Sequence, residues 1–305
     1  MTTGKPSLIL TPFAVARQYE TEGLSLEYDC RVIQDASGVR DGLNICNYDR
    51  LDKLDAIDFG CVIMDESSLI KSYTGAMAMA LTERFRNTPF RLCCSATPAP
   101  NDHTELGAHS EFLGVLPRAD MLARWFINDT ANTKSWRLKG HARQSFWDWV
   151  ASWAIMARSP ADLGFDASRF ILPELIAVRH KSSGYAKPKD GMLLASDVSA
   201  IDMHDLKRET ASERASIAAS LIDPSEGPWL IWVDTDYEAD AIMEKIPEAT
   251  EVRGNMTPEK KEDRLLGFGR GEIPILLTKP KIAGVGMNFQ KCARQIFVGR
   301  SFSYE

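Results

Sequence analysis

The sequence predicts an α/β fold of two parallel-sheet lobes joined by a mostly helical insert, and three observations predict it. Short apolar runs closed by Gly, Pro or Asp alternate with helix-like stretches over the first 115 residues. A second set of such runs begins at Trp229, and five of the seven tryptophans fall between the two sets. Apolar runs of this length suit strands buried on both faces of a parallel sheet.

In the first set the runs are Leu8-Ile9-Leu10, Arg31-Val32-Ile33, Leu43-Asn44-Ile45-Cys46, Cys61-Val62-Ile63-Met64 and Leu92-Cys93-Cys94. The stretch from Pro117 to Asp223 carries Trp125, Trp136, Trp147, Trp149 and Trp153 and little strand patterning before Leu175, which is the character of a helical insert. Within it Phe146, Trp149, Val150 and Trp153 fall at i, i+3, i+4 and i+7, the spacing of a buried helix face. Trp136 is the more open ring. Residues 181–191, rich in Lys, Gly, Pro and Ser, read as an exposed loop. In the second set Trp229-Leu230-Ile231-Trp232-Val233, Pro274-Ile275-Leu276-Leu277-Thr278 and Gln295-Ile296-Phe297-Val298 read as strands. Between them the pattern predicts one helix from Tyr237 to Ile246 and another that Thr257 caps, with Pro258 at its first position and Gly267, Gly269 and Gly271 ending it. The expected organisation is a first lobe over 1–115, an insert over 116–224 and a second lobe over 225–305.

Composition narrows the function. Lys and Arg number 36 against 42 Asp and Glu, a formal charge of −6, so a nucleic-acid partner must be held by a local basic surface and a polybasic arm is excluded. The apolar run near Leu8 is far shorter than the roughly 20 residues that span a bilayer, and no basic segment of a signal peptide precedes it. Cys30, Cys46, Cys61, Cys93, Cys94 and Cys292 show no C-x-x-C spacing and read as core thiols of a reducing compartment. His103, His109, His141, His180 and His204 lack metal-ligand spacing and read as surface or helix-cap residues. Without a G-x-S-x-G elbow, a Ser/His/Asp hydrolase has no anchor.

Two strand ends carry chemistry. Asp65-Glu66 follow the run Cys61-Val62-Ile63-Met64, which places adjacent carboxylates at the carboxyl end of a buried strand, the edge where open parallel sheets bind ligands. One carboxylate there can hold a hydrated Mg²⁺ on a nucleotide while its neighbour orients or deprotonates the attacking water. Downstream, Cys93-Cys94-Ser95-Ala96-Thr97-Pro98 brings small hydroxyl residues to a second strand end. Alone, the acidic pair reads first as a solvated turn, and the Ser/Thr-Pro step as an ordinary helix-capping turn. Their joint spacing changes the reading.

Asp65-Glu66-Ser67-Ser68-Leu69-Ile70-Lys71 resembles the D-E-x-x box of the Swi/Snf-type branch of superfamily-two helicases, and Ser95-Ala96-Thr97-Pro98 resembles its S-A-T-P motif. Leu8-Ile9-Leu10-Thr11-Pro12 resembles motif Ia, and Ile45-Cys46-Asn47-Tyr48-Asp49-Arg50-Leu51 the segment that follows it. In the second lobe Leu230-Ile231-Trp232-Val233-Asp234-Thr235 resembles motif IV, and Val252-Arg253-Gly254 with Arg264 and Phe268 resembles the stretch before motif V. Leu277-Thr278-Lys279-Pro280-Lys281-Ile282-Ala283-Gly284-Val285-Gly286-Met287-Asn288-Phe289-Gln290 is similar to motif V itself. The wording of the D-E box and of Asn101 to Phe112 is most similar to phage or prophage members.

The resemblance implies two RecA-like lobes of the P-loop NTPase type and an ATP-dependent, Mg²⁺-requiring helicase or translocase on double-stranded DNA, working in the cytoplasm of a bacterium or phage-infected host. It implies Asp65 as the Mg²⁺ ligand and Glu66 as the residue that activates water, with Ser95 and Thr97 coupling nucleotide state to lobe closure. Gly284, Gly286 and Asn288 would form the second lobe's nucleotide face, and Thr11, Pro12, Asn47, Thr278 and Lys279 would touch the nucleic-acid backbone. Basic stretches add to this: residues 117–158 carry seven Arg or Lys against three Asp, and residues 251–294 nine basic against five acidic. Two departures stand against a complete motor. No G-x-G-K-[ST] loop occurs, Gly4-Lys5-Pro6 having proline where a hydroxyl should hold Mg²⁺, and no paired arginines follow the motif V stretch. Because an arginine finger alone contributes on the order of 10³ to 10⁵ in turnover, the expectation is a fragment or split protein nearly inert by itself as an ATPase. The alternative is an inactive helicase-like module that binds DNA or docks a partner.

Overall fold

The computed structural model describes residues 4–12, 15–70, 75–128, 136–182, 200–284 and 286–299, the side chains of 200–204 excepted. Lys71 and Val285 of the motif stretches, and most of the 181–191 segment, lie outside the described residues. The chain divides into two compact units, Met1–Ile176 and Ala177–Glu305.

In the first unit the chain runs β1 (Ser7–Thr11), α1 (Ala16–Ser25), β2 (Cys30–Val32), β3 (Leu43–Asn47), β4 (Cys61–Met64), α2 (Ala76–Arg84), β5 (Phe90–Cys93) and α3 (Leu106–Leu113). The five strands form a parallel sheet in the order β2-β3-β1-β4-β5. All five residues of β1 are buried, as a strand covered on both faces requires. Ile9 sits in register with Ile45 on one side and Ile63 on the other. Leu8, Leu10, Val62 and Met64 pack against Leu54, Phe59, Phe85 and Phe112 in one core cluster. Strand β5 is one edge of the sheet, and there Phe90 and Leu92 are exposed.

The unit continues through α4 (Arg118–Trp125), β6 (Phe126–Asn128), β7 (Trp136–Leu138) and α5 (Arg143–Ala151). Strands β6 and β7 pair antiparallel, a hairpin that the tryptophan-rich pattern does not announce. Phe146 is fully buried, Trp149 stacks on Trp125 at 4.6 Å, and Trp153 lies past the end of α5, partly buried. Residues 171–182 form neither helix nor strand, and Ile171, Leu172, Leu175 and Ile176 are exposed.

The second unit comprises α6 (Ala200–Glu209), α7 (Ala211–Leu221), β8 (Trp229–Trp232), α8 (Asp236–Lys245), β9 (Thr250–Glu251), α9 (Pro258–Arg270), β10 (Ile275–Thr278), the single turn α10 (Pro280–Ala283) and β11 (Arg294–Phe297). Its strands are parallel in the order β11-β8-β10-β9. Every residue of β8 and β10 is buried, and Ile231, Val233, Ile242, Ile275 and Leu277 share one core. Thr257 caps α9 by accepting from the Lys260 amide, and Gly271 ends it at φ 79°, a left-handed conformation that glycine takes without strain. Gly267 and Gly269, expected to help end this helix, lie inside it. Among the described residues no helix is long and apolar enough to cross a membrane.

Candidate nucleotide site at the strand ends

The topology of the first sheet singles out one place. From β1 the chain leaves toward β3 and β2, and from the neighbouring β4 it leaves the other way, toward β5. The carboxyl ends of β1 and β4 are therefore the topological switch point of the sheet, the position at which open α/β sheets bind ligands. Asp65 and Glu66 are the residues that β4 delivers there.

Backbone hydrogen bonds carry the sheet one step beyond its strands. The Asp65 amide donates to the Leu10 carbonyl at 2.9 Å, the Cys94 amide to Met64 at 2.8 Å and the Ser67 amide to Cys94 at 2.9 Å. This clamps both flanks of the acidic pair, and between the clamps Glu66 takes φ 50°. A non-glycine residue in the left-handed region is strained, and such strain concentrates at functional positions. The Tyr48 hydroxyl donates to the Asp65 carbonyl at 2.6 Å, and the nearby Tyr19 hydroxyl favours the charged form of its carboxylate.

Both carboxylates are partly buried, and among the described residues neither forms an ion pair. Burial raises the Asp65 pKa against the lowering effect of the Tyr19 hydroxyl. Burial also raises that of Glu66, and the adjacent Asp65 charge adds to it. Two hard oxygen donors that pair with no cation among the described residues fit a hydrated divalent cation, which would relieve the same desolvation.

Beneath the pair, Ser67 and His109 are both buried, with Ser67 Oγ 3.1 Å from His109 Nε2. This corrects the expectation that His109 is a surface or cap residue. Burial lowers its pKa, so its neutral form is favoured. Beside Ser67, burial pushes the pKa of the Cys93 thiol up to about 12, and the Ser67 amide reaches the Cys94 carbonyl. Ser67 thus links the acidic turn to the end of β5 and to α3. Neither Tyr19 nor His109 carries a motif, and their roles come only from the fold. The second expected strand end is a turn in which Ser95 Oγ accepts from the Thr97 amide at 3.1 Å. Cys94, expected in the core, is exposed.

Thr11 and Asn47 lie side by side at the ends of β1 and β3, buried, with the Thr11 hydroxyl 3.5 Å from Asn47 Oδ1. Pro12 follows, partly buried. Thr11 is fully buried and Asn47 nearly so, backbone included.

In the second unit Thr278 is buried and its hydroxyl donates to the Val252 carbonyl at 3.3 Å. Lys279 pairs with Asp236 at 2.8 Å. A side chain at Gly284 would meet the Pro280 carbonyl oxygen at 2.5 Å, so only glycine fits. Gly286 has φ 75°, and Asn288 Oδ1 accepts from the Gln290 amide at 3.2 Å. Among the described residues no cluster of three or more His, Cys, Asp or Glu is arranged to hold a metal.

No protein-family model matches the chain, and no curated protein matches it in sequence. Solved structures do. S. cerevisiae Dbp5 bound to RNA and ADP BeF3 is similar at a TM-score of 0.50 and 11% identity, over 99% of this chain and 64% of that one. The fold is RecA-like. The Sulfolobus solfataricus SWI2/SNF2 ATPase core in complex with dsDNA is similar at a TM-score of 0.45 and 11% identity, over 98% of this chain and 78% of that one. The DUF1998 helicase MrfA bound to DNA follows at 0.48 and 11%, over 98% of this chain and 39% of that one. At such identities the likeness is one of fold alone, and the chemistry has to be argued from the residues.

Proposed function

We propose that the chain is the motor core of a Swi/Snf-like, superfamily-two helicase or translocase that hydrolyses ATP and moves on duplex DNA. The observation that carries this reading is the Asp65-Glu66 pair, without an ion pair among the described residues, at the topological switch of a parallel sheet, with Glu66 held at φ 50°. In this reading residues 1–115 and 225–305 are the two lobes and 116–224 the insert.

Asp65 would hold Mg²⁺, which when bound neutralises charge on the phosphates. Glu66 would accept a proton from the attacking water as its oxygen bonds the γ-phosphorus and the bond to the β-phosphate oxygen breaks. Its raised pKa suits a proton acceptor, because a general base works best with a pKa near the working pH. Ser95 and Thr97 would couple nucleotide state to lobe closure. Gly284, Gly286 and Asn288 would form the second lobe's nucleotide face. Lys279 and the strand ends at Thr11-Pro12, Asn47 and Thr278 would contact the DNA backbone.

The test is Glu66→Gln in the full-length protein. Nucleotide binding should survive, and DNA-stimulated hydrolysis should fall by about 10²- to 10⁴-fold, the range that general-base catalysis supplies. Unchanged turnover would sink the assignment. Salt-sensitive DNA binding indifferent to nucleotide would instead favour an inactive DNA-binding module.

A further inference from the structure

A pocket of about 410 Å³ opens in the first unit between the start of the α3 region, the β6–β7 hairpin and α5. None of its lining residues belongs to the strand-end site. Arg143 and Trp147 stand four residues apart on α5 and so share one helix face. The His103 ring meets Trp147 edge-on, with centroids 5.2 Å apart and planes at 80°. The hairpin contributes Trp136, partly buried, and Arg137, exposed.

The charges around this pocket are unequal in their freedom. Lys139 donates to the carbonyls of Ala123 and Arg124 at 3.0 and 3.1 Å, which ties it to the end of α4. The Asp102 carboxylate accepts from the Thr104 amide at 2.7 Å. Arg137 and Arg143 make no ion pair among the described residues, and both are exposed. Core packing accounts for the neighbouring Phe146, fully buried, but not for Trp147, which keeps 38% of its surface exposed.

We propose that this pocket binds one base–phosphate unit of a single-stranded nucleic acid, the base against Trp147 and Trp136 and the phosphate on Arg143 and Arg137. Aromatic faces stack any base, and guanidinium forks match phosphate oxygens. An apolar peptide would leave both guanidiniums unmatched, inorganic phosphate would leave the rings unused, and a duplex keeps its bases stacked inside. The volume lies within the roughly 300–1,000 Å³ of small-ligand sites. That the ligand is a nucleic acid and not a free nucleotide rests on the motor reading above, while the single-stranded form rests on the exposed rings.

The experiment is a titration of the full chain with an oligothymidylate of about a dozen nucleotides, which spans a typical single-strand site, read by tryptophan fluorescence and by anisotropy of a labelled strand. No ATP is present, so failure of the motor reading shows in the hydrolysis assay and failure of the pocket shows here. The Arg137→Ala/Arg143→Ala pair should weaken binding at least about tenfold and lower the salt slope by about 1.4, two single-strand phosphate contacts. Trp147→Ala should weaken it about five- to hundredfold, the loss of one stacking platform, and Trp147→Phe should restore most of the affinity. Circular dichroism checks that each variant folds. Wild-type affinity in the variants, or no binding by the wild type, would overturn the proposal. Thymidine monophosphate binding as tightly as the strand would overturn it too, by making the ligand a free nucleotide.

Discussion

The two sheets treat the charges at their strand ends in opposite ways. In the second unit, Asp234 after β8 pairs with Lys207 at 3.1 Å, and Lys279 after β10 pairs with Asp236 at 2.8 Å. Glu238 is fully buried but takes Arg214 at 2.7 Å and the amides of Asp234 and Thr235 at 2.9 and 3.1 Å. In the first unit, Asp65 and Glu66 have no cation among the described residues, their pKa values are raised by burial, and Glu66 is strained. Satisfied charge stabilises a fold, whereas unsatisfied charge is available to a ligand. On the proposed reading, that difference is what would place the chemistry in the first sheet.

The largest expected effect tests the second half of that contrast. Arg214 also donates to the carbonyls of Val298 and Lys207, so it joins α7, α8 and the end of β11. Arg214→Ala strands a buried carboxylate and should destabilise the second unit by about 3–5 kcal/mol. Urea unfolding followed by the fluorescence of Trp229 and Trp232 measures it. A loss below about 1 kcal/mol, the value of an exposed pair, would break the comparison.

Next in size is a pH effect confined to the first unit. The folded-state pKa of His109 is depressed by burial, so the unfolded chain takes up a proton that the folded chain refuses. Stability is therefore present above the ordinary histidine value of about 6.5 and is lost as pH falls through that range toward the lower folded value. The slope for one proton is at most about 1.4 kcal/mol per pH unit. His109→Gln should remove this slope between pH ~6.5 and the acid limit while the second unit's transition stays unchanged. Thermal unfolding at stepped pH, with and without the substitution, is the measurement. An unaltered slope would mean that other groups titrate there.

How legible this was in the sequence follows from burial. Strands β1, β4, β8 and β10 are buried apolar runs, and their patterning places them within a residue or so of where they lie. The edge strand β5 begins two residues before the expected Leu92, because an edge is only half covered and Phe90 there carries no burial signal. The β6–β7 hairpin escaped because three-residue strands are too short for alternation to show. His109 was misplaced since α3 is buried from Leu106 through Ser110, and a helix covered all round has no polar face for periodicity to report. The acidic pair and the S-A-T-P turn were visible as local strings. The Tyr19 and Tyr48 contacts, the Ser67–His109 bond and the conformation of Glu66 arise only when β1, β3 and β4 meet.

The smallest effect separates strain from charge at that last residue. Glu27, just past α1, is the other described non-glycine residue in the left-handed region, at φ 61° against 50° for Glu66. Strain of this kind costs about 1–2 kcal/mol, and glycine returns roughly 0.5–1 kcal/mol of that through its greater unfolded-state entropy. Glu27→Gly should therefore gain about 0.5–1 kcal/mol, the difference of those terms. Glu66→Gly relieves the same strain and also removes a partly buried charge beside Asp65, so it should gain at least as much while abolishing hydrolysis. Asp65→Asn, which removes charge without touching the backbone, isolates the electrostatic part and should also stabilise. A stabilised, inactive Glu66→Gly beside an equally stabilised, active Glu27→Gly would show that both strain and charge are held at the site against the stability of the fold. If Glu66→Gly instead destabilised the unit, the carboxylate would be a structural anchor of the β4 turn, and the contrast between the two sheets would fall.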